Sequence, residues 1–288
     1  MAAISASAVV QLRKMSGQGM MDCKKALEEA NGDIDEAMKI LRKKGLATLA
    51  KRAGRDTSEG MIVRKTTDDG KIAAMVTLCC ETDFVSRSDD FLAMAKALGD
   101  FVLACSSDEG AENIMETSVG GRKFSEILTD TVSKTGEKMQ VGDYTRYEVD
   151  GPGFISTYVH FNNKVGAMIQ IETSSDKTAA ADSLKLAAID IAMHITATKP
   201  LSLDKDGIKA DVVEQEKAIY AAQIKNKPAN IVEKIVEGKL NKFFAENCLL
   251  SQPFVKDDSK TVAQVISDAG KQAGGVAKIK RFVRFEVG

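Results

Sequence analysis

The chain has 288 residues, 44% of them hydrophobic, enough to bury at least one sizeable core and to form two or three compact units. Forty basic and 41 acidic residues leave a formal net charge of -1, so no global field draws in nucleic acid or an anionic membrane. The lack of tryptophan and the few other aromatics leave little for bases to stack on, so direct nucleic-acid binding is not expected and a protein partner is.

The five cysteines, Cys23, Cys79, Cys80, Cys105 and Cys248, show no paired spacing and read as reduced, buried thiols of a cytoplasmic protein. If the apolar run holding Cys79 and Cys80 is a strand, their side chains leave on opposite faces and cannot share a metal. No stretch approaches the roughly 20 apolar residues of a membrane helix, and the N-terminus has no basic region followed by a hydrophobic block. The cytoplasm is the expected location, with no membrane association.

In chain order, three short helices are expected first. Ser5 caps a helix with Val9 and Leu12 on its apolar face, Gly17-Gln18-Gly19 breaks it, and a second helix runs from Met20 to Ala30. After the Asn31-Gly32 turn, Asp33 opens a third helix with Ile34, Ala37, Met38 and Leu41 at i, i+3, i+4 and i+7, and Gly45 is expected to end it. Arg42 to Arg55, with six basic residues and no acidic one, reads as a solvated linker.

A duplicated unit follows. Gly70-Lys-Ile-Ala-Ala-Met-Val-Thr-Leu78 matches Asn163-Lys-Val-Gly-Ala-Met-Ile-Gln-Ile171 at an offset of 93 (163 minus 70), and the same offset aligns Gly60 with Gly153, Ile62 with Ile155 and Asp89 with Asp182. Each copy closes on a similar segment, Arg146-Tyr-Glu-Val149 and Arg284-Phe-Glu-Val287. Each therefore reads as a hairpin, one or more helices and a third strand. Alternation in Ile62 to Lys65 and Tyr144 to Val149 suits antiparallel sheets with one face covered by helices, giving an α+β fold. The second copy is interrupted by two helical stretches split at Asn226-Lys227-Pro228. Val212, Val213 and Ile219 on one, with Val232, Ile235, Val236 and Phe243 on the other, suit a projecting helical hairpin. The expected units are a three-helix module with its basic linker (1–50), a first core subdomain (56–150), and a second (151–288) interrupted by the arm (201–246).

Sites for covalent chemistry are not evident. There is no Walker-type phosphate loop, and Gly17-Gln18-Gly19 lacks the third glycine of a dinucleotide fingerprint because position 22 is Asp22. His194, among Ile191, Ala192, Met193 and Ile195, reads as a packed core histidine, while His160 reads as either a partner contact or an ordinary surface residue. No cofactor, resident metal or enzymatic activity is expected. Thr82-Asp83-Phe84 reads from spacing alone as a helix N-cap followed by a core phenylalanine.

Two segments resemble elongation factor Ts: Gly19-Met-Met-Asp-Cys-Lys-Lys-Ala-Leu27 with Glu29-Ala-Asn-Gly-Asp33, and Cys80-Glu-Thr-Asp-Phe-Val85. Similarity continues through Ile191-Ala-Met-His194, Lys199-Pro200, Ile235-Val-Glu-Gly238, Gln252-Pro-Phe254 and Arg284 to Gly288, in family order. The resemblance implies an N-terminal module of the ubiquitin-associated type and a guanine nucleotide exchange factor for elongation factor Tu. It also implies that Thr82, Asp83, Phe84 and Val85 dislocate Mg²⁺ from the partner GTPase, reversing the core reading of Phe84. Partner contacts implied are Arg13, Met20, Met21 and His160; from the residues alone Met20 and Met21 read as an ordinary hydrophobic face, and the two readings are compatible with one methionine inward and one toward the partner. The arm resembles the family's dimerisation element, so a homodimer through it is a further expectation. Some bacterial members continue past the final strand into a helical segment that touches the GTPase, a contact expected to be missing here. The rival expectation is a protein-binding adaptor without exchange activity, either of the ubiquitin type, built on the N-terminal helices, or ribosome-associated.

Overall fold

A computed structural model describes residues 4–224 and 227–288. Three helices open the chain: α1 (Ala6–Ser16), α2 (Met20–Glu29) and α3 (Ile34–Lys51). Ser5 caps α1 by accepting from the Ala8 amide, and Asp33 caps α3 by accepting from Glu36. Val9, Leu12, Cys23, Ala26, Leu27, Ala37 and Leu41 form their shared core.

The end of α3 departs from the sequence reading. Gly45 does not stop the helix, which continues to Lys51. A Cβ at Gly45 would lie 2.6 Å from the Thr129 carbonyl oxygen and 2.9 Å from Thr129 Cγ2, both on α7 (Phe124–Thr135). The glycine is therefore a close-approach residue where two helices touch, and packing outweighs its low helix propensity. Nor is the basic stretch simply a solvated linker: Arg42 pairs with Glu126 (3.1 Å), Lys44 with Asp22 (2.6 Å) and Arg52 with Glu81 (2.8 Å).

The first copy of the repeat comprises β1 (Glu59–Thr66), β2 (Ile72–Cys80), α4 (Asp83–Ser86), α5 (Asp89–Ala104), α6 (Ala111–Glu116), the ribbon β3 (Ser118–Val119) and β4 (Arg122–Lys123), α7, and β5 (Met139–Glu148). The second comprises β6 (Gly153–Val159), β7 (Val165–Thr173), α8 (Asp176–Ala180) and α9 (Asp182–Thr198). It then continues through α10 (Ala210–Gln223), α11 (Ala229–Asn247), the ribbon β8 (Pro253–Phe254) and β9 (Asp257–Thr261), α12 (Val262–Gln272) and β10 (Ala277–Glu286). Each copy is a three-stranded antiparallel sheet, β1-β2-β5 and β6-β7-β10, with its hairpin at the same register. Gly60 faces Cys79 at φ +142° and Gly153 faces Glu172 at φ +152°. A Cβ would come within 2.1 Å of the Leu78 oxygen in one and 2.2 Å of the Ile171 oxygen in the other. Glycine is thus demanded at both by the same backbone crossing. Arg146 pairs with Ala74 and Arg284 with Ala167, so the third strands also correspond.

Both sheets are covered on two faces rather than one. Helices cover the outer faces, where Phe91, Leu98, Phe124 and Val132 pack on Val76 and Leu78, and Leu184, Ile191, Val262 and Ile266 pack on Ile169 and Ile171. The inner faces meet each other through Ile62, Met75, Tyr147, Ile155, Met168 and Phe285. This is why Ile72–Cys80 is apolar almost throughout instead of alternating. Reciprocal bonds cross the junction: the Ile62 amide donates to the Asn163 carbonyl (2.7 Å), and the Ile155 amide donates to the Gly70 carbonyl (2.8 Å). Arg64 Nη1 donates to Thr157 Oγ1 (2.7 Å), its own counterpart in the repeat. The two copies are therefore related by a pseudo-twofold axis passing near Arg64 and Thr157.

Helices α10 and α11 form the expected pair, although the Asn226 part of the predicted turn lies outside the described residues. Ile219 is 50% exposed and so does not belong to the seam assigned to it. The root is held by backbone bonds: the Leu201 amide donates to the Asn247 carbonyl and the Leu249 amide to the Ser202 carbonyl. His194 locks this root to α9. Its Nδ1 accepts from the Val255 amide (3.2 Å), which assigns the neutral ring a proton on Nε2, donated to Gln252 Oε1 (2.9 Å). Gln252 in turn donates to the Glu246 carbonyl at the end of α11 (2.7 Å).

Burial holds the His194 pKa below its ordinary value, with Gln252 working the other way. A depressed value contributes stability that is present above about pH 6.5 and lost as pH falls through the folded-state value. Thermal melts at pH 7.5 and 5.5 should show wild type losing more stability on acidification than His194→Gln. Parallel losses would remove His194 as the source.

Candidate functional site

The residues from Thr82 to Val85 form a short turn, α4, pinned at its root on both sides. Thr82 is the N-cap, accepting from the Val85 amide (3.4 Å). The Glu137 carboxylate clamps Thr82 by accepting from its amide (3.2 Å) and its hydroxyl (2.9 Å). One residue earlier, Glu81 accepts two bonds from Arg52 Nη1 (2.8 Å each) and one from the Lys138 amide (2.7 Å). Burial opposes ionisation of Glu81, but the Lys138 amide and Arg52 guanidinium outweigh it and hold the carboxyl below its usual range. Lys138 Nζ donates to the Ala53 and Arg55 carbonyls, so the stretch just past α3 is tied to the same root.

What this root carries is divided between core and solvent. Val85 packs against the first core, whereas Phe84 is 84% exposed and absent from it. Asp83, next to it, pairs with Arg87 on the surface (3.3 Å). Phe84 is therefore not the core residue that spacing alone allowed, because the hydrophobic demand of this turn is met by Val85. The second copy provides an internal control. Ser175 caps α8 by accepting from the Thr178 amide (3.1 Å), and the position matching Phe84 is an exposed Lys177. The turn forms without an aromatic there.

His160 follows β6 in the β6–β7 turn, half-buried, with Nδ1 3.1 Å from the Tyr158 hydroxyl. The fold brings this turn to α4. A groove of about 530 Å³ separates them, lined on one side by Asp83, Ser86 and Arg87 and on the other by Asn162, Asn163 and Lys164. Arg13, on α1, and Met20 and Met21, on α2, do not line this groove. All three are exposed; the inward placement expected of one methionine is not found, because Cys23, Ala26 and Leu27 fill the buried face of α2. The turn before α2 is fixed to α7, with Gln18 buried beside the Asp130 and Ser133 carbonyls.

Glu137, Arg52 and Phe161 were not legible as site residues. Glu137 and Arg52 meet Thr82 and Glu81 only through tertiary contacts, and Phe161 carried one signal, an aromatic beside two asparagines in a turn. The neighbouring cysteines are structural: burial, followed by the nearby Glu137 carboxylate, pushes the Cys80 thiol to about 12, and burial raises Cys79, which is half-buried rather than fully buried. Cys80 lies in the first helix-facing core and Cys79 packs against the inter-sheet core, on opposite faces as expected. Among the described residues, no group of three or more His, Cys, Asp or Glu is placed to hold a metal ion, and no helix is long and apolar enough to cross a membrane.

A duplicated α+β scaffold thus presents an exposed aromatic on a pinned turn. The chain belongs to the elongation factor Ts family, a family of translation elongation factors: the family model described as Elongation factor TS matches residues 81–288. The chain is 46% identical over 288 residues to elongation factor Ts of Nitratiruptor sp., covering 99% of this chain and 93% of the relative. It is 40% identical to the Clostridium botulinum protein of that name (99% and 93% covered) and 41% identical to that of Alkalilimnicola ehrlichii (99% and 92% covered).

Proposed function

We propose that this protein is a guanine nucleotide exchange factor for elongation factor Tu, acting in the cytoplasm without covalent chemistry. The observation that carries this reading is Phe84, exposed on a turn whose fold does not need it and whose base is fixed by Glu81 and Glu137. GDP in a GTPase is held by Mg²⁺ and by backbone donors around its phosphates, so a partner that shifts those elements weakens both. Phe84 enters an apolar crevice of the GTPase and Asp83 accepts hydrogen bonds there, while Thr82 and Val85 hold the turn in shape. The fixed root matters because a wedge on a loose loop would yield instead of displacing the metal site.

Arg13, Met20, Met21 and His160 serve as further contacts in this reading. Residues 1–50, 56–150 and 151–288 act as its units, and the arm (201–246), with Ile219 and Ile231 exposed, is the element through which two copies would pair. Binding linkage requires reciprocity: if the protein weakens GDP, GDP weakens the protein by the same factor. Stopped-flow release of a fluorescent GDP analogue from purified elongation factor Tu should accelerate on adding the protein, and excess GDP with Mg²⁺ should dissociate the complex. Release unchanged at saturating protein would remove the proposal.

A further inference from the structure

We infer that Phe161 is a second aromatic anchor for the same GTPase, gripping it across the groove from Phe84. Phe161 is 88% exposed, the most exposed large hydrophobic side chain among the described residues, and Phe84 is next at 84%. Their chain neighbours Asp83 and Asn162 line opposite sides of one groove, from different copies of the repeat. The turn carrying Phe161 is rigid in its own right: the His160 amide donates to the Val165 carbonyl (2.8 Å), the Asn163 amide to the His160 carbonyl (2.8 Å), and the Lys164 amide to Asn162 Oδ1 (3.0 Å). The His160 ring stands 4.4 Å from the Phe161 ring and is bonded to Tyr158, bracing the phenylalanine from behind. A braced aromatic loses little conformational freedom on binding, which is what an interface anchor requires.

The pseudo-twofold axis shows that this exposure is not a demand of the fold. The equivalent of Phe161 is Asp68 in the β1–β2 turn, where Gly70 at φ +71° replaces Asn163 at φ +58°. The equivalent of Phe84 is Lys177. The same two structural positions therefore occur twice, once with two exposed phenylalanines and once with an aspartate and a lysine. The lysines at the two faces also differ in their partners. On the charged side Lys71 reaches across, donating to the Gly151 and Gly153 carbonyls (2.7 and 3.0 Å) and pairing with Asp176 (3.5 Å). On the phenylalanine side its counterpart Lys164 pairs with Glu59 of the other copy (2.8 Å) instead of with Asp83. An exposed apolar pair beside a groove, on only one of two equivalent faces, fits one GTPase per chain, with a ridge of the GTPase seated in the groove and the rings in crevices on either side of it.

This inference rests on the exchange-factor reading, and the test separates the two. Affinity for purified, nucleotide-free elongation factor Tu is titrated with the full chain and with Phe161→Ala, Phe161→Asp, Phe84→Ala and, on the opposite face, Lys177→Ala, each also followed by thermal melting. Phe161→Asp installs the residue that the sister turn already tolerates. Both Phe161 variants should raise Kd roughly tenfold or more at unchanged melting temperature, and Lys177→Ala should bind as wild type. Wild-type affinity in the Phe161 variants with a deficit in Phe84→Ala would overturn the second anchor alone. Wild-type affinity in both would overturn the second anchor and the wedge together. A lowered melting temperature in both Phe161 variants, or an equal loss from Lys177→Ala, would also overturn the inference.

Discussion

Phe84→Ala is expected to slow exchange on elongation factor Tu by roughly thirtyfold, a loss of about 2 kcal/mol, while leaving the free protein as stable as wild type to within about 1 kcal/mol. The two halves of this expectation come from the same observation. A phenylalanine buried in its own core would cost about 3 to 5 kcal/mol on truncation, but at 84% exposure there is almost no buried surface to lose and no cavity to leave. The local fold does not depend on the ring, since Thr82 caps the turn, Glu137 clamps Thr82 and Val85 supplies the packing. The cost must therefore appear in the complex. Fluorescent GDP release beside calorimetric melting reads both quantities, and normal exchange in a destabilised variant would reverse the assignment.

Gly45→Leu should act in the opposite way, on stability first and on binding only as a consequence. Leucine is a strong helix former, so α3 taken alone would gain from the change. In the folded chain its Cβ would be driven into the Thr129 carbonyl and the Ser133 side chain, where Ser133 Oγ already donates to the Leu41 carbonyl at 3.2 Å. Backbone cannot give way as a flexible side chain can, so α3 must lift from α7. Overpacking of this kind costs about 1 to 3 kcal/mol, a melting shift of roughly 2 to 10 °C for a chain of this size. Lifting α3 also strains the root of the Phe84 turn, because Arg52 and its bond to Glu81 follow directly from the end of this helix. A wild-type melting temperature in this variant would mean that the helices do not meet at Gly45.

How much of this was legible in the sequence depends on the range of the forces involved. Caps and turns act within a few residues, so Ser5, Asp33 and the Gly17–Gly19 break could be placed without coordinates. The duplication was equally legible: one offset of 93 carried the hairpins, the glycines at 60 and 153 and the starts of α5 and α9, since each copy solves the same local problem with the same backbone. The resemblance carried by Cys80 to Val85 pointed to the family to which the chain belongs.

Other features were settled only by tertiary contacts. Helix propensity favoured a stop at Gly45, but α7, about 80 residues further on, made its missing side chain the condition for close packing. Strand alternation predicted sheets covered on one side; the second cover is the other copy's sheet, which no single strand can encode. Whether Phe84 or Val85 turns inward is set by where α5 and β2 stand relative to the turn, and the clamp by Glu137 is set by the α7–β5 connection. Phe161 reads in the sequence as one odd residue in a turn. Its turn stands across a groove from the Phe84 turn only because two copies pack about a twofold axis, bringing together residues far apart in the chain through contacts that local propensity does not specify.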